Sequence, residues 1–234
     1  MAARLAALCV DAHDPSALAR FWGELLGWSS SGAVLLPPDD TGFALRFEPA
    51  GAPKTVPNQM HFDLTSRSLD DQQRTVERAL GLGAGPIDVG QRPDEGHVVL
   101  ADPEGNEFCV VEPGNAFLAD CGFLGAIACD GSHATGLFWS RALGWPLVWD
   151  QDEETAIRAP HGGPKISWGG PPLRPRTGRY RLRFELSPTD RDPASEVERL
   201  VALGATSIGV DGGRPVLIDP DGHEFCVAGA PPRG

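Results

Sequence analysis

Apolar and polar residues along this chain follow two periods, and the periods change in the same order four times. Residues 4–10 are a short apolar run that predicts a strand. Asp14-Pro15-Ser16 then opens a helix, with proline in the first turn, where its missing N–H is not needed. Leu18, Phe21, Trp22, Leu25 and Leu26 recur at steps of three and four, giving one buried stripe that Gly27 ends. Strands are predicted over 33–36 and 43–47, separated by the turn Pro37-Pro38-Asp39-Asp40. After a Pro/Gly-rich connection at 49–57 the order restarts: a strand at 60–65, a helix at 69–82 stopped by Gly83, a weak strand at 87–89 and a hairpin at 96–112. The third pass predicts a strand at 124–129, a helix at 135–143 ended by Gly144, and strands at 155–159 and 165–168. The fourth follows the Pro/Gly-rich stretch 169–178 with a strand at 180–186, a helix at 193–203 and a hairpin at 213–229.

The two hairpins are near copies. Each is an apolar strand, an Asp-Pro-acid-Gly turn (Asp102 to Gly105, Asp219 to Gly222) and a second strand carrying Glu-Phe-Cys-Val. Cys109 and Cys226 are 117 positions apart, as are the Phe21-Trp22 and Phe138-Trp139 pairs. The chain therefore reads as a tandem repeat, with units at 1–115 and 121–234 and a linker at 114–120. The strands are too short and too alternating for a doubly wound parallel sheet, so the expected class is α+β.

Composition narrows the partners. With 20 basic against 32 acidic residues and a formal charge of −12, the chain has no broad cationic surface for nucleic acid or an anionic membrane, and a small molecule is the expected ligand. No apolar run approaches the ~20 residues that span a bilayer, and the N-terminus soon turns acidic, so a cytoplasmic protein is expected. Five cysteines without close pairing argue against a disulfide framework or a Cys-x-x-Cys site.

The stretch Asp14 to Trp28, with Phe-Trp-x-x-Leu-Leu-Gly-Trp at its end, its echo Phe138-Trp139-x-x-x-Leu-Gly-Trp145, the Met60-His61-Phe62-Asp63-Leu64 strand and the two hairpins together resemble the vicinal oxygen chelate superfamily. More narrowly, nearly the whole chain is similar to a tandem pair of glyoxalase-like domains of the kind that include bleomycin-resistance-type proteins. The resemblance implies two domains, each a pair of βαβββ modules whose strands form an open cup-shaped sheet with helices outside. In metal-dependent members a divalent ion lies in the cup, held from the first and last strands of two modules. The positions this implies are Ala7 and Leu124 on first strands, neither a ligand. Near the ends of the first and third modules Glu48 and His161 are close but displaced. His61 falls on the family's histidine position, Arg183 replaces it in the second half, and Cys109 and Cys226 stand where a glutamate is usual. The four-ligand site is thus broken in both halves, including under the exchanged module pairing that some relatives use, and no metal cofactor is expected, the weaker alternative being one divalent ion at His61.

Alternation says what lines the cups instead. In the first half these are His61, Asp63, Glu107 and Cys109, with Glu112 turned to the other face. In the second half they are Arg183, Glu185, Glu224 and Cys226. His61 is open to three roles: metal ligand, acid or base, or a histidine bonded to Asp63 or Glu107. Cys109 and Cys226 read as small strand residues or as nucleophiles, and Arg183 as an internal ion pair or an anchor for an anionic ligand, with Arg174, Arg176, Arg179 and Arg181 before it as a solvated edge. Trp149 and Trp168 have no partner in the first half and are the candidates for stacking a planar ligand. The expected function is binding of a small, partly aromatic metabolite or drug in a metal-free cup, for sequestration or resistance, by a monomer or homodimer. The alternatives are an isomerase, lyase or dioxygenase with a reduced metal site around His61, and a regulatory partner with vestigial cups.

Overall fold

The computed structural model describes residues 2–38, 42–50, 54–92, 94–173 and 180–228. Asp39, Asp40, Arg174, Arg176 and Arg179 lie outside the described residues. The first module is β1 (Arg4–Ala12), α1 (Pro15–Leu26), β2 (Ser29–Ser31), β3 (Val34–Leu36) and β4 (Ala44–Pro49). The second is β5 (Met60–Leu64), α2 (Leu69–Gly81), β6 (Gly85–Pro86), β7 (Val98–Ala101) and β8 (Glu107–Val110). The third is β9 (Leu124–Cys129), α3 (His133–Leu143), β10 (Leu147–Gln151), β11 (Glu154–Arg158) and β12 (Lys165–Trp168). The fourth is β13 (Leu182–Ser187), α4 (Pro193–Leu203), β14 (Thr206–Asp211), β15 (Arg214–Ile218) and β16 (Glu224–Val227).

The α+β class and the repeated βαβββ module are as expected. The predicted strand at 87–89 is absent, and the residues of β2, β6, β10 and β14 were not placed by the periodicity. Ser29–Ser31 is three exposed serines and β14 is exposed at every position, so neither shows the apolar alternation that marks a half-buried strand.

The modules pair across the halves. One open sheet has the order β14-β15-β16-β13-β1-β4-β3-β2, joining the first module to the fourth, and the other has β10-β11-β12-β9-β5-β8-β7-β6, joining the second to the third. At the seams β1 runs antiparallel to β13, with Cys9 opposite Arg183 and Ala7 opposite Glu185, and β5 runs antiparallel to β9, with His61 opposite Ala128 and Asp63 opposite Ala126. Each cup is therefore built from one module of each half, not from the two modules of one half. The Pro/Gly-rich stretches after β4 and β12 carry the chain between sheets, whereas the stretch after β8 stays within one sheet.

What holds the modules of one half together is the contact between its hairpin and its first helix. Asp102, buried, accepts from Trp22 Nε1 at 3.0 Å, from Asn106 N at 2.9 Å and from Glu104 N at 2.9 Å. Asp219 does the same for Trp139 Nε1 at 3.1 Å, His223 N at 2.9 Å and Asp221 N at 3.1 Å. One step on, Glu104 accepts from the His13 and Asp14 amides before α1, and Asp221 accepts from Ser132 N and Oγ before α3. Ser132 makes no side-chain cap of its own, so the hairpin acid supplies the negative group that the start of α3 favours. Trp22 also packs edge-on against Phe62 and Phe108, and Trp139 against Phe184 and Phe225, inside one core that runs through both halves.

Candidate functional site

Strand alternation sends one face of each sheet into that core and leaves the other lining a cup. In the first sheet Leu8, Val10, Leu45, Phe47, Phe184 and Phe225 go to the core, leaving Cys9, Asp11, Arg46, Glu48, Arg183, Glu185 and Cys226 on the other face. In the second, Phe62, Leu64, Phe108, Ile127 and Ile166 go to the core, leaving His61, Asp63, Glu107, Cys109, Ala126 and Ala128. Ala126, two residues past the expected Leu124, is the residue that the register places across from Asp63, and like Leu124 it offers no ligand atom.

The first sheet forms an arginine cup whose floor is an ion-pair lattice between the first and fourth modules. Arg183 donates to Asp11 at 2.5 Å and to Glu48; Arg214 donates to Glu48 at 2.7 Å and to Glu185 at 2.9 Å; Arg46 reaches both Glu185 oxygens at 2.6 Å. Burial alone would raise the Glu48 carboxyl, but hydrogen bonding from Arg214 and the charges of Arg183, Arg214 and Arg46 bring it below the ordinary carboxylate range. Beneath the lattice Cys226 Sγ donates to Glu185 Oε2 at 3.9 Å, and the Cys9 and Cys226 thiols act on each other so that Cys9 is pushed up and Cys226 drawn down. Cys226 is buried, at 3% exposure. Glu224 lines a small recess beside Arg183, Arg214 and Cys226, and a cavity of about 550 Å³ opens above, between Pro49, Ala50 and residues 54–58 on one side and Tyr180, Arg181 and Arg183 on the other. Three guanidiniums on this floor do not fit a divalent cation. Of the candidates here, Arg183 is matched by acids of the other module rather than by Glu185 and Glu224, and Arg181, expected to be solvated, sits 3.4 Å from Glu104.

The second sheet forms a histidine cup. His61 Nε2 lies 3.4 Å from Asp63 Oδ1, and Cys109 on β8 is directly across the ladder from Asp63. One donor atom from each of these three residues lies within 4.8 Å of the others, and among the described residues no second group of three such donors occurs. Burial works against protonation of His61, but its hydrogen bonds to Asp63 and Cys109 and their charges outweigh it and push its pKa up to about 10. Glu107, on the same face, is taken by Lys54 and by the Asn58 amide at 3.2 Å. Two cavities of about 420 and 460 Å³ meet at His61 and Cys109. The first is walled by Val111, Phe117 and Leu118 and reached at its edge by Glu112, which lies beyond the end of β8 and so escapes the alternation that was expected to turn it away. The second is walled by Ile87, Val89 and Val99. Phe117 is backed edge-on by Trp149 at 5.8 Å, with the Lys165 ammonium 4.6 Å from its ring centre.

Trp168 does not line a cup. It is 1% exposed, stacked on Trp139 at 6.5 Å, on the same strand face as Ile166. Its parity with Ile166 on β12, not its lack of a counterpart in the first half, decides its face. Asp11, Arg46, Arg214 and Lys54 were missed because each is a single charge whose partners lie 29 to 172 positions away; alternation on β1 and β4 hints only at the face of Asp11 and Arg46.

A family model described as glyoxalase-like domain matches residues 7–111 and again 126–228. The chain belongs to this family, in two copies. Its structural neighbours, which share the fold at low sequence identity, lie in the vicinal oxygen chelate superfamily. The structure is similar to glyoxalase I from Zea mays, with TM-score 0.65 at 15% identity over 97% of this chain and 92% of that one. It is also similar to a Bacillus subtilis protein provisionally classed as a dioxygenase, with TM-score 0.60 at 14% identity over 99% and 87%. No curated protein matches this glyoxalase-like chain in sequence. Within the described residues no helix is long and apolar enough to cross a membrane.

Proposed function

We propose that this glyoxalase-like protein binds a small, partly aromatic metabolite or drug in its histidine cup, with sequestration or resistance as the biological use. The observation that carries this reading is the pair of adjoining cavities, about 420 and 460 Å³, with apolar walls and a few convergent polar groups where they meet at His61 and Cys109. A planar group would lie against Phe117, and His61 and Asp63 would orient its polar substituents. The arginine cup serves as a structural seam and holds no metal, because its charges are matched to one another.

A metabolite and drug panel tests this. A true ligand raises the melting temperature of the whole chain and changes tryptophan emission. The emission change is lost in Trp149→Phe, the indole behind Phe117, and the stabilisation falls in His61→Ala. A broad panel that neither stabilises the protein nor alters its emission would sink the reading.

A metal-dependent isomerase, lyase or dioxygenase is the second reading, favoured by the His61, Asp63 and Cys109 donors. An ion there would polarise a substrate oxygen, while Lys54 would hold Glu107 fixed nearby. Activity that depends on both added metal and His61 would select it.

A further inference from the structure

We propose that a cavity of about 550 Å³ outside both cups is a second small-molecule site, one that takes an organic carboxylate with an apolar body. It lies between the C-terminal end of α1, the exit of β5, one face of α2 and a roof formed by residues 112–123, which fall between the two copies of the family domain. The site therefore belongs to the joint of the tandem rather than to the repeated cup. It shares a wall with the histidine cup at Val111, Glu112, Asn115 and Leu118, but its ligand does not depend on what that cup binds.

The roof is fastened before any ligand arrives. Thr65, just past β5, donates from its amide to Phe123 O at 2.9 Å and from its hydroxyl to Gly122 O at 3.0 Å. From the third module, Arg158 donates to Asp120 O at 2.7 Å and the Lys165 ammonium to Phe117 O. Within the roof, Asn115 Oδ1 accepts from the Leu118 amide at 3.2 Å. A roof tied to two modules has little conformational entropy left to lose on binding, and the volume suits a small organic molecule.

Unmatched donors decide what kind of molecule fits. Asp71, Thr75 and Arg78 recur at steps of four and three on α2 and so share the face toward the cavity. The acids are already engaged: Asp71 accepts from the Arg67 amide at 3.0 Å and from Arg74 at 3.3 Å, and Glu112 accepts from Asn115 at 3.1 Å. The guanidiniums are less so. That of Arg67 has no hydrogen-bond or ion-pair partner among the described residues, and Arg78 gives one nitrogen to the Glu24 carbonyl and keeps the rest of its fork. Ser66 adds a buried hydroxyl that also lacks a partner among the described residues. Free guanidinium forks take a carboxylate by paired N–H···O bonds, while Leu25, Leu26, Leu118 and Phe123 give the rest of the molecule an apolar wall.

The test uses the full chain, with the half-buried Cys121 thiol in the cavity lining as reporter. Its alkylation by iodoacetamide is followed by mass spectrometry at that residue. Phenylacetate is expected to slow the reaction saturably, and phenylacetamide and inorganic phosphate to slow it far less. Protection weakens about tenfold in Arg67→Gln, a change at an exposed residue, and is unaltered in His61→Ala. Equal protection by phenylacetate and phenylacetamide, or full protection in Arg67→Gln, overturns the carboxylate assignment, and so does phosphate that protects as well as phenylacetate. Protection lost in His61→Ala puts the ligand in the histidine cup and overturns the second site. No protection of wild-type Cys121 by phenylacetate, benzoate or a branched aliphatic acid refutes the proposal without any variant. Binding in the histidine cup is read at Cys109 instead, so the two readings fail separately.

Discussion

His61 and Arg183 occupy corresponding places on β5 and β13, and their neighbours decide what each can do. Arg183 is met by Asp11 and Glu48 from the other seam strand and the strand beyond it, so its charge is spent inside the lattice. Removing one member of such a buried set would strand its partners, which is why the lattice suits a seam better than a binding floor. His61 is met across its seam only by alanine, and its charge is balanced from its own module by Asp63. The sign of the resulting pH dependence is fixed. Because its folded pKa is raised to about 10 from an ordinary 6.5, protonated His61 contributes stability that is fully present below about pH 6.5 and is lost as pH rises toward 10. For metal-free protein the melting temperature should therefore fall over that window, and the His61→Gln variant should lose much of the slope. A slope unchanged in the variant would remove His61 as its source.

At the level of elements, the repeated hairpin and the repeated Phe-Trp helix are two parts of one joint. Asp102 takes the Trp22 indole, the Glu104 and Asn106 amides and the Asn106 side chain, while Glu104 holds the start of α1. Burial raises the Asp102 carboxyl even against these donors, a sign of how fully the joint excludes water. Asp102→Ala leaves several buried donors without an acceptor and is expected to cost at least about 2 kcal/mol, whereas Trp22→Phe, which deletes one donor together with its need, is expected to cost less. Urea denaturation of both variants checks the order, and an Asp102→Ala protein as stable as wild type would show that the joint is not a stabilising element. The sequence displayed both motifs at matched spacing but not that they touch, since Trp22 and Asp102 are 80 positions apart.

On the scale of the molecule, the crossing of modules makes each half incomplete. Residues 1–115 alone would expose β1 without β13 and β5 without β9, two long unpaired edges. The isolated half is expected to dimerise, each copy supplying the missing seam, while the full chain, with both seams filled internally, is expected to be a monomer. Light scattering after size exclusion separates these outcomes, and a monomeric, folded first half would contradict the crossed pairing.

The sequence by itself determined the α+β class, the fourfold recurrence of a strand, a helix and further strands, the tandem repeat and, through period-two alternation, the faces of His61, Asp63, Cys109, Arg183 and Glu185. These are local properties: a strand's parity and a helix's stripe are written in neighbouring residues. Which modules share a sheet, which acids meet Arg183, that Glu107 is taken by Lys54 and that Trp168 lies beneath Trp139 were decided only by the tertiary structure. Those contacts join residues far apart in the chain, and their energy depends on charge matching and burial that exist only once the modules have met.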